Sequence, residues 1–152
     1  MAYVGRFAPS PTGPLHFGSL ITAVASYCDA KANHGTWLVR VEDTDIPRIY
    51  PGSEEHILRA MDAFQLEPDG EIIFQKDRLD IYADVIEQLR QQGLVYACQC
   101  TRKMLGSNHI YQDTCRDLAL AFDNQAIRLK VEDIEICFED QLQGRHCSKL
   151  KK

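Results

Sequence analysis

The chain has 152 residues, a net charge of −5 at pH 7 and 45% hydrophobic residues, enough for one packed domain or for one domain with a small insertion. No apolar run reaches the length of a membrane span and no signal-peptide pattern is present, so we expect a soluble, cytoplasmic protein with no membrane partner. The acidic balance does not suggest general nucleic-acid binding, and any RNA contact would need a local basic patch.

The chain begins with a strand-like segment at residues 3–5 and continues into a loop at residues 6–18. Three prolines and two glycines in this loop exclude regular structure. A helix with apolar periodicity is predicted from Ser19 to about Asn33, with His16 just before its start and Gly35 as its left-handed cap. The segment is therefore predicted to be a stiff loop between a strand and a helix N-terminus.

This loop is a candidate binding site for an anionic substrate. Open α/β sheets bind phosphate-bearing ligands where a strand leads into a helix N-terminus. Arg6, Ser10 and His16 supply a cation, a hydroxyl and an imidazole there, and Gly18 lets a ligand approach the backbone. A plain proline-rich turn is the alternative interpretation.

A second strand is predicted at residues 36–41, where apolar residues are nearly continuous, as in a buried parallel strand. A strand, a helix and a second strand form an α/β crossover unit. Three carboxylates, Glu42, Asp43 and Asp45, follow at the carboxyl end of the second strand, next to the expected crevice. A polar exit loop is the alternative.

Two more helices are predicted, one beginning at a Ser53 cap and one at residues 77–92 that ends at Gly93. A short strand at residues 72–74 lies between them. Each helix has an apolar stripe that we expect to be buried: Ile57, Leu58, Met61 and Phe64 in the first, and Tyr82, Val85, Ile86 and Leu89 in the second.

Six cysteines are present, and without an export signal we expect reduced thiols instead of disulfides. Cys28 and Cys137 are interpreted as small buried residues, and Cys147 has no assigned role. The other three cysteines cluster in the sequence.

Cys98 and Cys100 alternate on a strand and so face one side, while Tyr111 and Cys115 share a face if they lie on a helical turn. Three thiolates and one further donor predict a tetrahedral zinc site with one ion per chain. Residue chemistry favours His109 as the fourth ligand, because imidazole ligands are far commoner than phenolates. Three unrelated thiols are the alternative.

Antiparallel strands are predicted at residues 126–130 and 134–136. The segment 145–152 is short, basic and without a pattern.

Three strings of residues resemble one family. Pro9-Ser10-Pro11-Thr12-Gly13 with Leu15-His16-Phe17-Gly18 resembles the HIGH signature region of class I aminoacyl-tRNA synthetases, most closely the glutamate and glutamine branch. Glu42-Asp43-Thr44-Asp45 is similar to the segment after the second strand in glutamyl-type enzymes. Cys-x-Cys followed by Tyr-x3-Cys is similar to glutamyl-queuosine tRNA(Asp) synthetases, in which the tyrosine is a zinc ligand. The resemblance covers residues 3–144.

The resemblance implies an α/β fold, the N-terminal half of a Rossmann-type nucleotide-binding fold with a small zinc-binding insertion. The implied domains are residues 1–94 for the first half of the catalytic domain, 95–118 for the zinc-binding insertion, 119–144 for the antiparallel strands and 145–152 for an unmatched basic tail.

The resemblance also implies an enzyme that activates glutamate with ATP and transfers it to queuosine in the anticodon of tRNA(Asp). Glutamate would be held by Arg6, Phe7, Ala8, Pro9, Ser10 and Glu42, with Glu42 on the α-amino group. ATP, with Mg²⁺, would be held by Pro9, His16, Gly18 and Ser19, and the last three are the implied catalytic residues. Zinc would be bound by Cys98, Cys100, Tyr111 and Cys115.

Two other functions stay open: a fragment of an ordinary glutamyl-tRNA synthetase, and a non-catalytic, zinc-stabilised module that binds nucleotide or RNA. The family's second half of the fold and its mobile KMSKS-type loop have no counterpart in the 152 residues. We therefore expect little activity from the chain by itself.

Overall fold

The computed structural model describes residues 2–101, 103–105, 111 and 114–150. It divides the chain into two compact units, Met1–Ile81 and Tyr82–Lys152. This border lies earlier than the predicted one at residue 94. Within the described residues, no helix is both long enough and apolar enough to cross a membrane.

The first unit is an α/β unit around a parallel sheet, which confirms the predicted α/β class. In chain order its main elements are β1 (Val4–Phe7), α1 (Phe17–Ala32), β2 (Thr36–Val41), α2 (Ser53–Ala63) and β3 (Ile73–Phe74). The three strands are all parallel and lie in the order β1-β2-β3, so β2 is central. Short 3₁₀ turns occupy Ile46–Arg48 and Gln75–Arg78.

The core of the first unit forms around β2, whose burial alternates along the strand. Trp37, Val39 and Val41 are at most 1% exposed, whereas the residues between them are only half-buried. The nearly continuous apolar run had predicted a strand buried throughout. The strand alternates because successive side chains point to opposite faces of the sheet, and Trp37 and Val39 pack in one cluster with Ile57 and Met61 of α2.

The end of α1 differs from the prediction at Gly35. The left-handed residue is His34, with φ of 51°, and Gly35 does not have a positive φ. A Cβ on Gly35 would lie 2.5 Å from the Tyr3 carbonyl oxygen. Glycine is needed at this position because two backbone segments approach each other closely, and the helix stop does not require it.

The second unit contains most of α3 (Leu79–Gln91) and four strands, β4 (Val95–Cys98), β5 (Ala126–Leu129), β6 (Ile134–Asp140) and β7 (Gly144–Leu150). The strands form two antiparallel pairs, β4 with β5 and β6 with β7. The predicted antiparallel strands are confirmed. The predicted stop of α3 is also confirmed, since Gly93 has φ of 69°.

Two predictions of buried helix stripes are wrong in part. In α3, Val85 is 47% exposed and Ile86 is 38% exposed. Phe64, at the end of α2, is 54% exposed. Tyr82 and Leu89 of the same stripe are half-buried, and neither of the buried clusters found among the described residues includes a residue of α3.

The last described residues are not an isolated tail, because residues 144–150 form β7 and pair along their full length with β6. Cys137 and Cys147 are directly opposite each other in this hairpin and are joined by a disulfide. The predicted burial of Cys137 is wrong, and the prediction of reduced thiols is wrong for this pair, whereas Cys28, Cys98, Cys100 and Cys115 are free thiols. The sequence alone could not show that strand register brings these two residues together.

Candidate active site and metal centre

The first group of predicted site residues lies where β1 leads into α1. Helix α1 begins at Phe17 and its N-cap is His16, whose Nδ1 accepts a hydrogen bond from the Ser19 backbone N–H at 3.2 Å. Ser19 Oγ lies 3.1 Å from His16 Nε2. The helix begins two residues before the predicted start at Ser19, and Ser19 supplies its third N–H, which the N-cap side chain satisfies.

Gly18 leaves room for the imidazole. A Cβ on Gly18 would lie 3.1 Å from His16 Cε1 and 3.2 Å from His16 Nδ1. Both residues are exposed, and the first turn of α1 contains no acidic residue. The helix N-terminus therefore keeps the positive end of its dipole open to an anion.

A cleft of about 530 Å³ lies over this loop. Its lining brings together the loop residues predicted for glutamate and most of those predicted for ATP, namely Arg6, Phe7, Ala8, Pro9, Ser10, His16 and Ser19. Gly18 and Glu42 are not among the lining residues. The cleft thus combines a cation, hydroxyl groups and an imidazole, which suits a ligand with carboxylate or phosphate groups.

Glu42 lies beside the loop that forms the cleft. Its backbone N–H donates to the Pro9 carbonyl at 2.9 Å. Its Oε1 accepts a hydrogen bond from Arg40 Nη2 at 2.6 Å, and its side chain is 36% exposed. The carboxylate is therefore anchored on one side and remains accessible.

Asp43 is a positioning residue that the sequence interpretation did not single out. It is 2% exposed, and its Oδ1 accepts a hydrogen bond from the Lys76 backbone N–H at 2.8 Å. Its Oδ2 lies 3.3 Å from Lys76 Nζ. The alternation that buries Val39 and Val41 continues to Asp43, so this pattern could have identified it.

Lys76 connects two acids. Its Nζ lies 3.3 Å from both Asp43 Oδ2 and Glu54 Oε2. Partial burial lowers the pKa of Lys76, but the two carboxylates outweigh that effect and the net shift is upward. Lys76 stays charged and fixes the exit of β2 against the segment after β3.

The loop is anchored a second time through Ser53. Its buried hydroxyl lies 2.5 Å from the Pro11 carbonyl oxygen and 2.6 Å from that of Tyr50. The Tyr50 N–H also donates to the Pro11 carbonyl at 2.9 Å. The predicted cap of α2 at Ser53 is wrong, since the N-cap is Gly52 and the Ser53 hydroxyl holds the loop instead.

The second candidate site is a group of cysteines in the second unit. The Sγ atoms of Cys98, Cys100 and Cys115 all lie within 4.8 Å of one another. Cys98 and Cys115 are each 1% exposed. Tetrahedral zinc with thiolate bonds of about 2.3 Å separates its sulfur ligands by about 3.8 Å, so small shifts would suffice to accept an ion. These three residues form a group that could hold a metal.

Tyr111 lies next to this group. Its hydroxyl accepts a hydrogen bond from the Cys115 backbone N–H at 2.8 Å. Its ring packs against the cluster formed by Tyr96, Cys98 and Cys115. His109, the alternative fourth ligand, lies outside the described residues.

The thiols differ in their affinity for protons. Burial raises the pKa of Cys98, but hydrogen bonds from Arg128 and from the Cys100 N–H outweigh it and lower the pKa to about 6. A hydrogen bond with Cys115, together with burial, raises the pKa of Cys100 to about 11. Burial also raises the pKa of Tyr111 above its usual 10.0. A thiolate is therefore favoured at Cys98 before any ion binds.

Cys28 does not belong to either site. It is exposed on α1, so its predicted burial is wrong. Ala23 and Ala30 occupy the buried positions of that helix, because their small side chains allow closer packing against the sheet.

Comparisons with known proteins agree with this arrangement. The family described as tRNA synthetases class I (E and Q), catalytic domain, matches residues 3–147. The glutamyl-Q tRNA(Asp) synthetase of Acinetobacter baylyi is 74% identical over 149 residues, which are 98% of this chain and 51% of that protein. The corresponding enzyme of Pseudomonas fluorescens is 51% identical over 146 residues, which are 95% of this chain and 49% of that protein.

Among solved structures, a glutamate tRNA ligase from Elizabethkingia meningosepticum in complex with its amino acid has a TM-score of 0.80 and 29% identity. The match covers 98% of this chain and 36% of that one. The chain spans about half the length of the curated relatives it matches.

Proposed function

The chain belongs to the class I tRNA synthetases for glutamate and glutamine and matches their catalytic domain. On that premise we propose that it functions as part of a glutamyl-Q tRNA(Asp) synthetase. The protein would activate glutamate with ATP and transfer it to queuosine in the anticodon of tRNA(Asp), in the cytoplasm. The main support is the cleft at the β1–α1 loop, which gathers Arg6, Ser10, His16 and Ser19.

Glutamate would be held through its charged groups. Arg6 would pair with a substrate carboxylate, and Glu42 with the α-amino group, while Phe7, Ala8, Pro9 and Ser10 would form the wall. A carboxylate that is anchored by Arg40 and still accessible is suited to receive an ammonium group.

ATP, as its magnesium complex, would lie against Pro9, His16, Gly18 and Ser19. The glutamate carboxylate would attack the α-phosphorus, forming a carboxyl–phosphate bond while pyrophosphate leaves in line. Such a step depends chiefly on positioning and on stabilising charge. His16 would donate a hydrogen bond to phosphate oxygens, and the open N-terminus of α1 would add its dipole.

The cysteine group would hold one zinc ion per chain through Cys98, Cys100, Cys115 and Tyr111. When bound, zinc would act as a structural cross-link for residues 95–118. Support comes from the three clustered sulfurs and from the Tyr111 hydroxyl beside Cys115.

The second candidate is an ordinary glutamyl-tRNA synthetase, which the similarity to the E. meningosepticum glutamate tRNA ligase favours. The two candidates differ in the RNA that accepts glutamate. In both, the cleft described above would bind glutamate and ATP.

The test uses an extended enzyme, in which this chain is joined to the remainder of the A. baylyi relative. We expect glutamate-dependent ATP–pyrophosphate exchange and transfer of glutamate to queuosine-containing tRNA(Asp). Transfer to tRNA(Glu) instead would favour the second candidate. Nucleotide binding with no exchange would leave only a non-catalytic module.

A further inference from the structure

Arg128 lies against the cysteine group, although no sequence motif includes it. It is on β5, directly opposite Tyr96 of β4. Tyr96 and Cys98 are two residues apart on β4 and so face the same side. The Cζ of Arg128 lies 4.3 Å from the centre of the Tyr111 ring, and its guanidinium is one of the groups that lower the pKa of the Cys98 thiol.

The proposed metal centre carries a net negative charge, and Arg128 is a cation beside it. Three thiolates and a phenolate carry four negative charges, so the complex with Zn²⁺ retains two. Such a charge is costly in a buried site unless a cation compensates it. Arg128 is half-buried, and its Nε is buried without a hydrogen-bond partner among the described residues.

We propose that Arg128 is a positioning residue of the metal centre, where its guanidinium compensates the charge of the ligand set and orients Cys98 and Tyr111. The inference rests on the proposed zinc site. Residues that contact metal ligands from outside typically change metal affinity about 10–100-fold when they are replaced.

The side-chain chemistry explains why arginine is suited to this position. A planar guanidinium donates to a thiolate through one edge while its face lies on an aromatic ring. A lysine ammonium is a compact point charge and cannot do both in the same way. Arg128→Lys therefore separates charge from geometry, and Arg128→Gln removes the charge.

The experiment measures zinc affinity in the whole chain by competition with a chromophoric chelator. We expect Arg128→Gln to weaken binding about 10–100-fold and Arg128→Lys to recover part of that loss. Lys130→Gln is the matched control, since it removes an exposed cation two residues away, and it should stay within about twofold. Far-UV circular dichroism checks that each variant folds.

Unchanged affinity in Arg128→Gln, or an equal loss in Lys130→Gln, would overturn the proposal. If Arg128→Gln does not fold, the zinc affinity of Arg128→Lys becomes the test. An affinity equal to that of the parent chain would then overturn the proposed role of Arg128. A parent chain that binds no zinc would instead refute the metal centre itself.

A spectroscopic readout separates a role at the metal from a general structural role. Zinc should produce the ultraviolet difference spectrum of ionised tyrosine in the parent chain but not in Tyr111→Phe. At the same pH and at saturating zinc, Arg128→Gln should give a smaller signal. If the parent gives no such signal, Tyr111 is not the ligand, and the affinity comparison still decides the role of Arg128.

Discussion

Replacing Glu42 with glutamine tests the proposed glutamate pocket most directly. The change keeps the shape of the side chain and removes its charge. If Glu42 receives the α-amino group of glutamate, a charged hydrogen bond is lost in a partly enclosed site. Such a loss costs about 2 kcal/mol, or about a 30-fold rise in the Michaelis constant for glutamate.

The effect on folding stability should be much smaller. Glu42 pairs with Arg40, but the two side chains are 36% and 28% exposed. An ion pair that solvent reaches contributes at most about 1 kcal/mol. Binding should therefore suffer more than the free energy of unfolding, which distinguishes a substrate contact from a structural one.

The assay is glutamate-dependent ATP–pyrophosphate exchange in the extended enzyme, with urea unfolding of each variant alongside. Glu55→Gln is the matched control, because Glu55 pairs with Arg59 at 3.6 Å on an exposed face of α2. An unchanged Michaelis constant in Glu42→Gln, or an equal increase in Glu55→Gln, would refute the assignment of Glu42.

Three further predictions concern stability and activity. Asp43→Ala should lower the free energy of unfolding by about 1–3 kcal/mol, since it removes the acceptor of the part-buried hydrogen bond from the Lys76 N–H; urea unfolding with no change would contradict this. Removing zinc with a chelator should loosen residues 95–118 in hydrogen exchange while β1, α1 and β2 stay protected, and equal loosening of both would be the contrary result. The 152-residue chain alone should show far less pyrophosphate exchange than the extended enzyme, and robust exchange by the purified short chain would disprove that expectation.

Several elements could be predicted from local patterns. The crossover of β1, α1 and β2 follows from apolar periodicity and from the prolines and glycines of the loop between them, which act within a few residues. The gathering of Cys98, Cys100 and Cys115 was predicted from their spacing, although the predicted strand alternation does not hold, since β4 ends at Cys98. What these residues bind remains a prediction.

Other predictions failed because they required knowledge of packing. Periodicity placed Val85 and Ile86 on one face of α3, yet only packing against other elements could bury that face, and both side chains are exposed. The start of α1 at Phe17 instead of Ser19 depends on where the loop directs the chain into the helix. The Cys137–Cys147 disulfide depends on the register of a hairpin.

The sequence by itself determined the α/β class, the position of the loop under the cleft and the residue types available there, because these depend on neighbours along the chain. The tertiary structure alone decided which groups meet across strands. It buried Asp43 against Lys76 and set Arg128 over the ring of Tyr111. Strand register and backbone approach between distant segments create these contacts, and local patterns do not encode either one.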